Sequence, residues 1–137
     1  MKIYTSYVSK NNLDKFISLG FLPIFILRNI RDSKFLSSYA DTCIHLRELS
    51  PSTELFHRFK SGEIDVEEYH YQYLLELLDR HISTLDIYKR LEFLCSLCNA
   101  PGVVLLGYEK NENLCHRKAL SKFLGWLWRT KIDEWVD

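Results

Sequence analysis

The sequence predicts an α/β layer fold, a small and mainly parallel sheet of about three to five strands with a helical insertion in the middle. Three observations carry this. An alternating segment, a short amphipathic segment and a continuous apolar run succeed one another within residues 3–27, the mark of a right-handed parallel crossover. Segments of helical periodicity follow, as far as residue 98. A second apolar run, Val103–Tyr108, then leads through a polar loop into a further amphipathic segment.

Taken in order, Ile3–Val8 alternates and is rich in Tyr and β-branched residues, so it reads as a strand. Asn11 or Asn12 can cap a helix with Leu13, Phe16 and Ile17 on one face, and Gly20 is placed to end it. Phe21–Leu27 reads as a strand buried on both faces, with Pro23 tolerable near its start. Arg31–Leu49 begins as a loop. Phe35, Leu36, Tyr39 and Ala40 then have helical spacing, and Cys43, Ile44 and Leu46 fit either a helix or an extended piece. Ser50-Pro51 reads as cap and first helical residue, with Leu55, Phe56 and Phe59 inward and Gly62 as the stop.

Asp65 and Glu68 form an Asp version of the capping box. The helix they open runs to about His81, with Val66, Tyr69, Tyr73, Leu74, Leu77 and Leu78 as its buried stripe. Ser83 or Thr84 can cap the next helix, which carries Ile87, Leu91, Leu94 and Cys98 inward. Pro101-Gly102 breaks the chain before the strand Val103–Tyr108. Cys115 to about Arg129 is the last helix, and Lys131–Val136 a last short strand.

A chain of 137 residues, 47% of them hydrophobic, has enough apolar material for one domain over residues 1–137. Eighteen basic residues balance eighteen acidic ones, so net charge gives no support for nucleic acid or an acidic membrane as partner. The longest apolar run, FLPIFIL, is far shorter than the roughly 20 residues that span a bilayer. The opening MKIYTSYVSK has no signal-peptide pattern. Four cysteines in this context read as reduced thiols, and the expected location is cytoplasmic.

Ligands of parallel α/β folds sit beyond the carboxyl ends of strands. Two loops qualify, one starting Arg28-Asn29 and one following Tyr108. The second delivers Cys115, His116 and Arg117 to the first turn of a helix. Free backbone N–H groups and the helix dipole favour a thiolate or a bound anion there. Arg117 adds a planar cationic fork, and His116 can act as acid, base or donor. Glu109 could orient either of them or act as a base itself. Against this, free cysteine is often a small buried hydrophobe. The motif is neither a P-loop nor a Cys-x5-Arg phosphatase loop, since Ser121 stands five residues after Cys115.

Three stretches resemble the bacterial and phage family catalogued as domain of unknown function 488. They are KIYTSY (Lys2–Tyr7), LSPSTELFHRFKSGEIDVEEYHYQY (Leu49–Tyr73) and, most specifically, LLGYEKNENLCHR (Leu105–Arg117). The resemblance implies a Rossmann-like three-layer fold with a polar site at Glu109, Cys115, His116 and Arg117, and it implies no settled activity. It extends to Arg28 after the second strand, and to Thr5 and Ser6 at the end of the first. The family often has a cysteine two residues before the glutamate, where this chain has Gly107. A second thiol is therefore not carried over.

Elsewhere, Cys95 and Cys98 have the spacing of a zinc or redox pair, but they lie in an apolar helical stripe and read as core. No metal or cofactor is expected. Tyr69 and Tyr73 share a helix face, with His70 and Tyr71 beside them; they read as core, or as a hydroxyl or ring reaching a site. A partly exposed Trp126 or Trp128 would fit a protein contact, a homo-oligomer included, and equally the partial burial common for tryptophan.

Two functions fit these residues. In one, Cys115 is the nucleophile of an enzyme, His116 or Glu109 moves protons, and Arg117, Arg28, Thr5, Ser6 and Tyr108 hold a small anionic or nucleotide-like substrate. In the other, the same residues bind an anion or nucleotide and break no bond.

Overall fold

A computed structural model describes residues 1–28, 43–111 and 113–137. Its order is β1 (Lys2–Tyr7), α1 (Lys10–Ser18), β2 (Leu22–Phe25), β3 (Ile44–His45), a 3-10 turn (Arg47–Leu49), α2 (Thr53–Lys60), α3 (Val66–Asp79), α4 (His81–Cys98), β4 (Gly102–Gly107), α5 (His116–Trp128) and β5 (Ile132–Glu134). Five parallel strands lie in the order β3-β2-β4-β1-β5. The expected helical spacing of Phe35, Leu36, Tyr39 and Ala40 falls outside the described residues.

β4 sits at the centre, and all six of its residues are buried. Its side chains alternate between two cores, as the period of a strand requires. Val103 and Leu105 join Ile3, Ile24 and Ile26 beneath α2 to α5. Val104 and Leu106 join Phe25 and Leu27 against Leu13 and Phe16 of α1. Helices thus cover both faces of the sheet, giving the Rossmann-like three-layer arrangement that the parallel crossover implied. Trp135, just after β5, closes the α1 side in edge-on contact with Tyr4, Phe16 and Phe21.

Several ends differ from the sequence expectation. Ser9, not Asn11 or Asn12, caps α1, accepting from Asn12 N–H at 3.0 Å. The Asn12 side chain instead turns back to donate to Tyr7 O at 2.9 Å. Ser50 does not cap α2, because its hydroxyl closes the preceding turn onto Arg47 O. Ser52 caps it, and Pro51 lies outside the helix. Residues 66–98 form two helices parted at Arg80, so Ser83 and Thr84 are internal. The Thr84 hydroxyl bonds back to Arg80 O, four residues earlier, as a mid-helix Thr does. Leu78 and Cys98, expected inward, are exposed. Asp65 caps α3 through Glu68 N–H as expected, and Gly20 and Gly62 both adopt the positive φ that ends a helix.

Two anchors fix α2 over the carboxyl end of the sheet. Glu76 of α3 accepts from Ser52 N–H at 2.9 Å and from the Ser52 hydroxyl at 2.5 Å. Arg80 donates to the carbonyls of Glu48 and Ser50. No helix is long and apolar enough to cross a membrane among the described residues.

Gly102 pairs with Lys2 where β4 and β1 begin. A β-carbon there would overlap the Lys2 carbonyl oxygen and lie 2.7 Å from its carbon, so the strands could not stay paired. Gly102→Ala is expected to lower unfolding free energy by roughly 3 kcal/mol, the upper part of the usual range for a point change. Urea denaturation of the two proteins measures it.

Candidate active site at the carboxyl ends of β2 and β4

After β4 the chain leaves the sheet at Tyr108 and turns at Asn111, whose side chain accepts from Asn113 N–H at 3.0 Å. It re-enters at Cys115, which has extended φ and ψ and caps α5 without a side-chain hydrogen bond to the helix. Its side chain is thereby left to face the sheet, and Sγ settles directly over Gly107. A β-carbon at position 107 would overlap Sγ and would lie 3.5 Å from Arg117 Cδ. The missing side chain is what makes room for the sulfur.

His116 packs edge-on against Tyr73, with ring centroids 5.3 Å apart. Its Nε2 lies 2.9 Å from Ile26 O, so a neutral ring carries its proton there. Nδ1 then presents a lone pair to Cys115 Sγ, 3.8 Å away. Burial pushes the Cys115 thiol up. The His116 hydrogen bond and charge, with the Arg117 backbone N–H and guanidinium, outweigh it and bring the thiol down to about 7 from 9.0. A Cys115 thiolate is therefore accessible near neutral pH.

Arg117 is 1% exposed, and its donors reach Glu134, Glu109 and Lys110. Nε lies 3.2 Å from both carboxylate oxygens of Glu134, and Nη2 lies 2.9 Å from Oε1. Nη1 and Nη2 donate to the carbonyls of Glu109 and Lys110. The Thr5 hydroxyl donates to the other Glu134 oxygen at 2.6 Å. This follows from the parallel register, which sets Thr5 opposite Glu134.

A cavity of about 420 Å³ opens beside the sulfur. The loops after β2 and β4 contribute Leu27, Arg28, Tyr108, Glu109, Leu114 and Cys115, and α5 contributes its first residue, His116. The 3-10 turn adds Arg47, and α2 adds Thr53, Phe56, His57 and Phe59. Tyr69 of α3 completes the wall, its ring stacked on Phe59 at 4.2 Å, and burial holds its hydroxyl far above the usual range for a phenol. Glu109 pairs with Lys60, which ties the loop to the end of α2. Arg28 is oriented by its Nε bond to Pro51 O at 2.7 Å.

Of the residues singled out by sequence, Cys115, His116, Glu109, Tyr108 and Arg28 line this cavity together. Arg117 and Thr5 lie behind the sulfur, joined through Glu134. Ser6 is buried beside the Asn12 amide, 3.5 Å away. Tyr69, read from its helix face as core or as a ring reaching a site, is in the wall, whereas Arg47, His57 and Phe59 are wall residues that local spacing could not have named. They reach the cavity because α2 is pinned across the sheet by Glu76 and Arg80. Nor did any local signal mark Glu134, whose position depends on β5 lying next to β1.

The other clusters resolve differently. Cys95 is buried and Cys98 exposed, so the pair does not face one partner. No group of three His, Cys, Asp or Glu side chains that could hold a metal occurs among the described residues. Trp128 is buried and donates to Thr84 O at 2.9 Å, whereas Trp126 is 56% exposed.

A family model described as "Active DUF488-N3 subclade", DUF488-N3a, matches residues 26–125. No curated protein and no solved structure matches the chain. The matched span contains the cavity lining and the Cys-His-Arg junction, and it leaves out Thr5 and Glu134.

Gly107→Ala would drive a methyl group into Cys115 Sγ and displace it from His116. Labelling of Cys115 by iodoacetamide at pH 7 is expected to slow about fivefold, the effect at that pH of a one-unit rise from a thiol pKa of about 7. Peptide mapping after timed alkylation reads this directly.

Proposed function

Starting from the fact that the chain belongs to the DUF488 family, we propose that it is a cysteine-dependent enzyme acting on a small anionic or nucleotide-like substrate. The observation that carries the reading is the 3.8 Å approach of Cys115 Sγ to Nδ1 of His116 on the wall of a cavity. His116 takes the thiol proton, and its ring is held in the receiving tautomer by Ile26 O. The thiolate then attacks an electrophilic carbon, forming a sulfur–carbon bond. The bond to the leaving group breaks, and the imidazolium returns its proton to that group. Water, deprotonated by the same imidazole, releases the product and restores the thiol.

Charge in the cavity supports an anionic substrate. Arg28 and Arg47 line it, while Glu109, the one carboxylate among the described lining residues, is paired with Lys60. Phe56, Phe59, Tyr69 and Tyr108 give it apolar walls suited to a planar group. The volume is in the range of small-molecule sites, roughly 300–1,000 Å³.

A second reading, a binding module without turnover, is favoured by one observation: Cys115 is 1% exposed, as a packing residue would be. The two separate on Cys115→Ala, which keeps ligand affinity under either reading and loses turnover only under the first.

Alkylation of Cys115 should rise with pH to a midpoint near 7, because the thiol is acidic relative to its ordinary 9.0. A midpoint near 9 ends the nucleophile assignment. Inorganic phosphate and adenosine monophosphate are expected to protect Cys115 from iodoacetamide. Protection should weaken about tenfold in Arg28→Ala or Arg47→Ala, the usual scale for one lost charge-assisted hydrogen bond. Equal alkylation with and without both anions sinks the anion site.

A further inference from the structure

We infer that Glu134 is a positioning residue for the Cys115 site: with Thr5 it fixes the Arg117 guanidinium behind the sulfur and, through Arg117, the loop at Glu109 and Lys110. The inference deepens the enzyme reading and rests on it. Its geometry is independent of the cavity itself.

Arg117 and Cys115 share one small space. The Arg117 Cβ and Cδ lie 3.6 and 3.5 Å from the point where a Gly107 side chain would begin, and Sγ overlaps that point. Few rotamers of Arg117 are compatible with such crowding, and the guanidinium must end where a carboxylate can receive it. Glu134 supplies that carboxylate. It accepts from Nε and Nη2, and the Thr5 hydroxyl occupies its second oxygen at 2.6 Å. Both supports stand on adjacent parallel strands, in direct register. The remaining Arg117 hydrogen bonds pass to the carbonyls of Glu109 and Lys110, at the mouth of the loop that ends in Cys115. A carboxylate on the last strand therefore sets a cation next to the sulfur without lining the cavity.

The groups that titrate or carry charge around the sulfur come from three elements. His116 and Arg117 belong to α5, Tyr69, His70 and Tyr73 to α3, and Glu109 to the loop. Glu134 touches Arg117 among these groups. This makes the sign of its removal informative. Loss of a negative charge alone would strengthen the field of Arg117 and make the thiol more acidic. Loss of position releases the guanidinium and makes the thiol less acidic.

The pH profile of Cys115 alkylation by iodoacetamide in the full chain tests it, with thermal unfolding measured alongside. In Glu134→Gln the midpoint is expected to rise by about one unit, which makes the reaction at pH 7 about fivefold slower. Thr5→Val changes no charge and is expected to shift the midpoint the same way by less, while Thr5→Ser keeps the hydroxyl and the wild-type profile. A midpoint that stays put or falls in Glu134→Gln, even with a lower melting temperature, overturns the inference and leaves Glu134 a structural clamp. If Glu134→Gln does not fold, Thr5→Val decides, and an unmoved profile there overturns it. A wild-type midpoint near 9 would instead remove the enzyme reading itself, so the two failures are distinguishable.

Discussion

A guanidinium that is 1% exposed can be tolerated only where its donors are met and its charge is paired. Arg117 satisfies both conditions with Glu134 on one side and the carbonyls of Glu109 and Lys110 on the other. The site is organised around that requirement. The loop after β4 must pass close enough for its carbonyls to be reached. β5 must return beside β1 so that a carboxylate arrives at the right register. α5 must then begin where Arg117 points inward, which leaves Cys115 at its cap and the sulfur over Gly107.

The opposing wall is built by a second set of polar anchors. Glu76 grips the amino end of α2 through Ser52, and Arg80 reaches the carbonyls of Glu48 and Ser50. Both act on backbone groups that a short helix and a turn would otherwise leave unsatisfied. The result is a helix whose Phe56, His57 and Phe59 overhang the cysteine. Its last residue, Lys60, closes on Glu109. Cys115 is consequently buried, but at a cavity wall rather than inside the aliphatic core. Its immediate neighbours are an imidazole, a backbone N–H and a cation. The sulfur meets the cavity in this way without opening the core.

Much of this was legible because the signals were local. The runs Phe21–Leu27 and Val103–Tyr108 are too apolar for strands with a solvated face, and so they predicted a sheet covered on both sides. The junction at Cys115 was visible because an apolar run, a polar loop and a helical stripe follow one another without interruption. The helix stops at Gly20 and Gly62 were equally plain. Cap positions were less so: Ser50 and Ser52 are chemically interchangeable, and the choice went to Ser52 because the Ser50 hydroxyl is spent on Arg47 O. Arg80 separates two helices with no glycine or proline at the join, and its own tertiary hydrogen bonds to Glu48 and Ser50 draw it out of line.

What the sequence by itself determined is the parallel α/β layering, with Cys115, His116 and Arg117 at one strand-to-helix junction, because periodicity and capping act over a few neighbouring residues. Only the tertiary structure decided which groups meet that junction. Thr5 and Glu134 are 129 positions apart, and a shared strand register brings them together behind Arg117. Arg47 and His57 face the cysteine because two distant side chains hold a turn and a helix across the sheet. Such contacts depend on how the strands are ordered and how the helices are pinned, and no local pattern of residues encodes them.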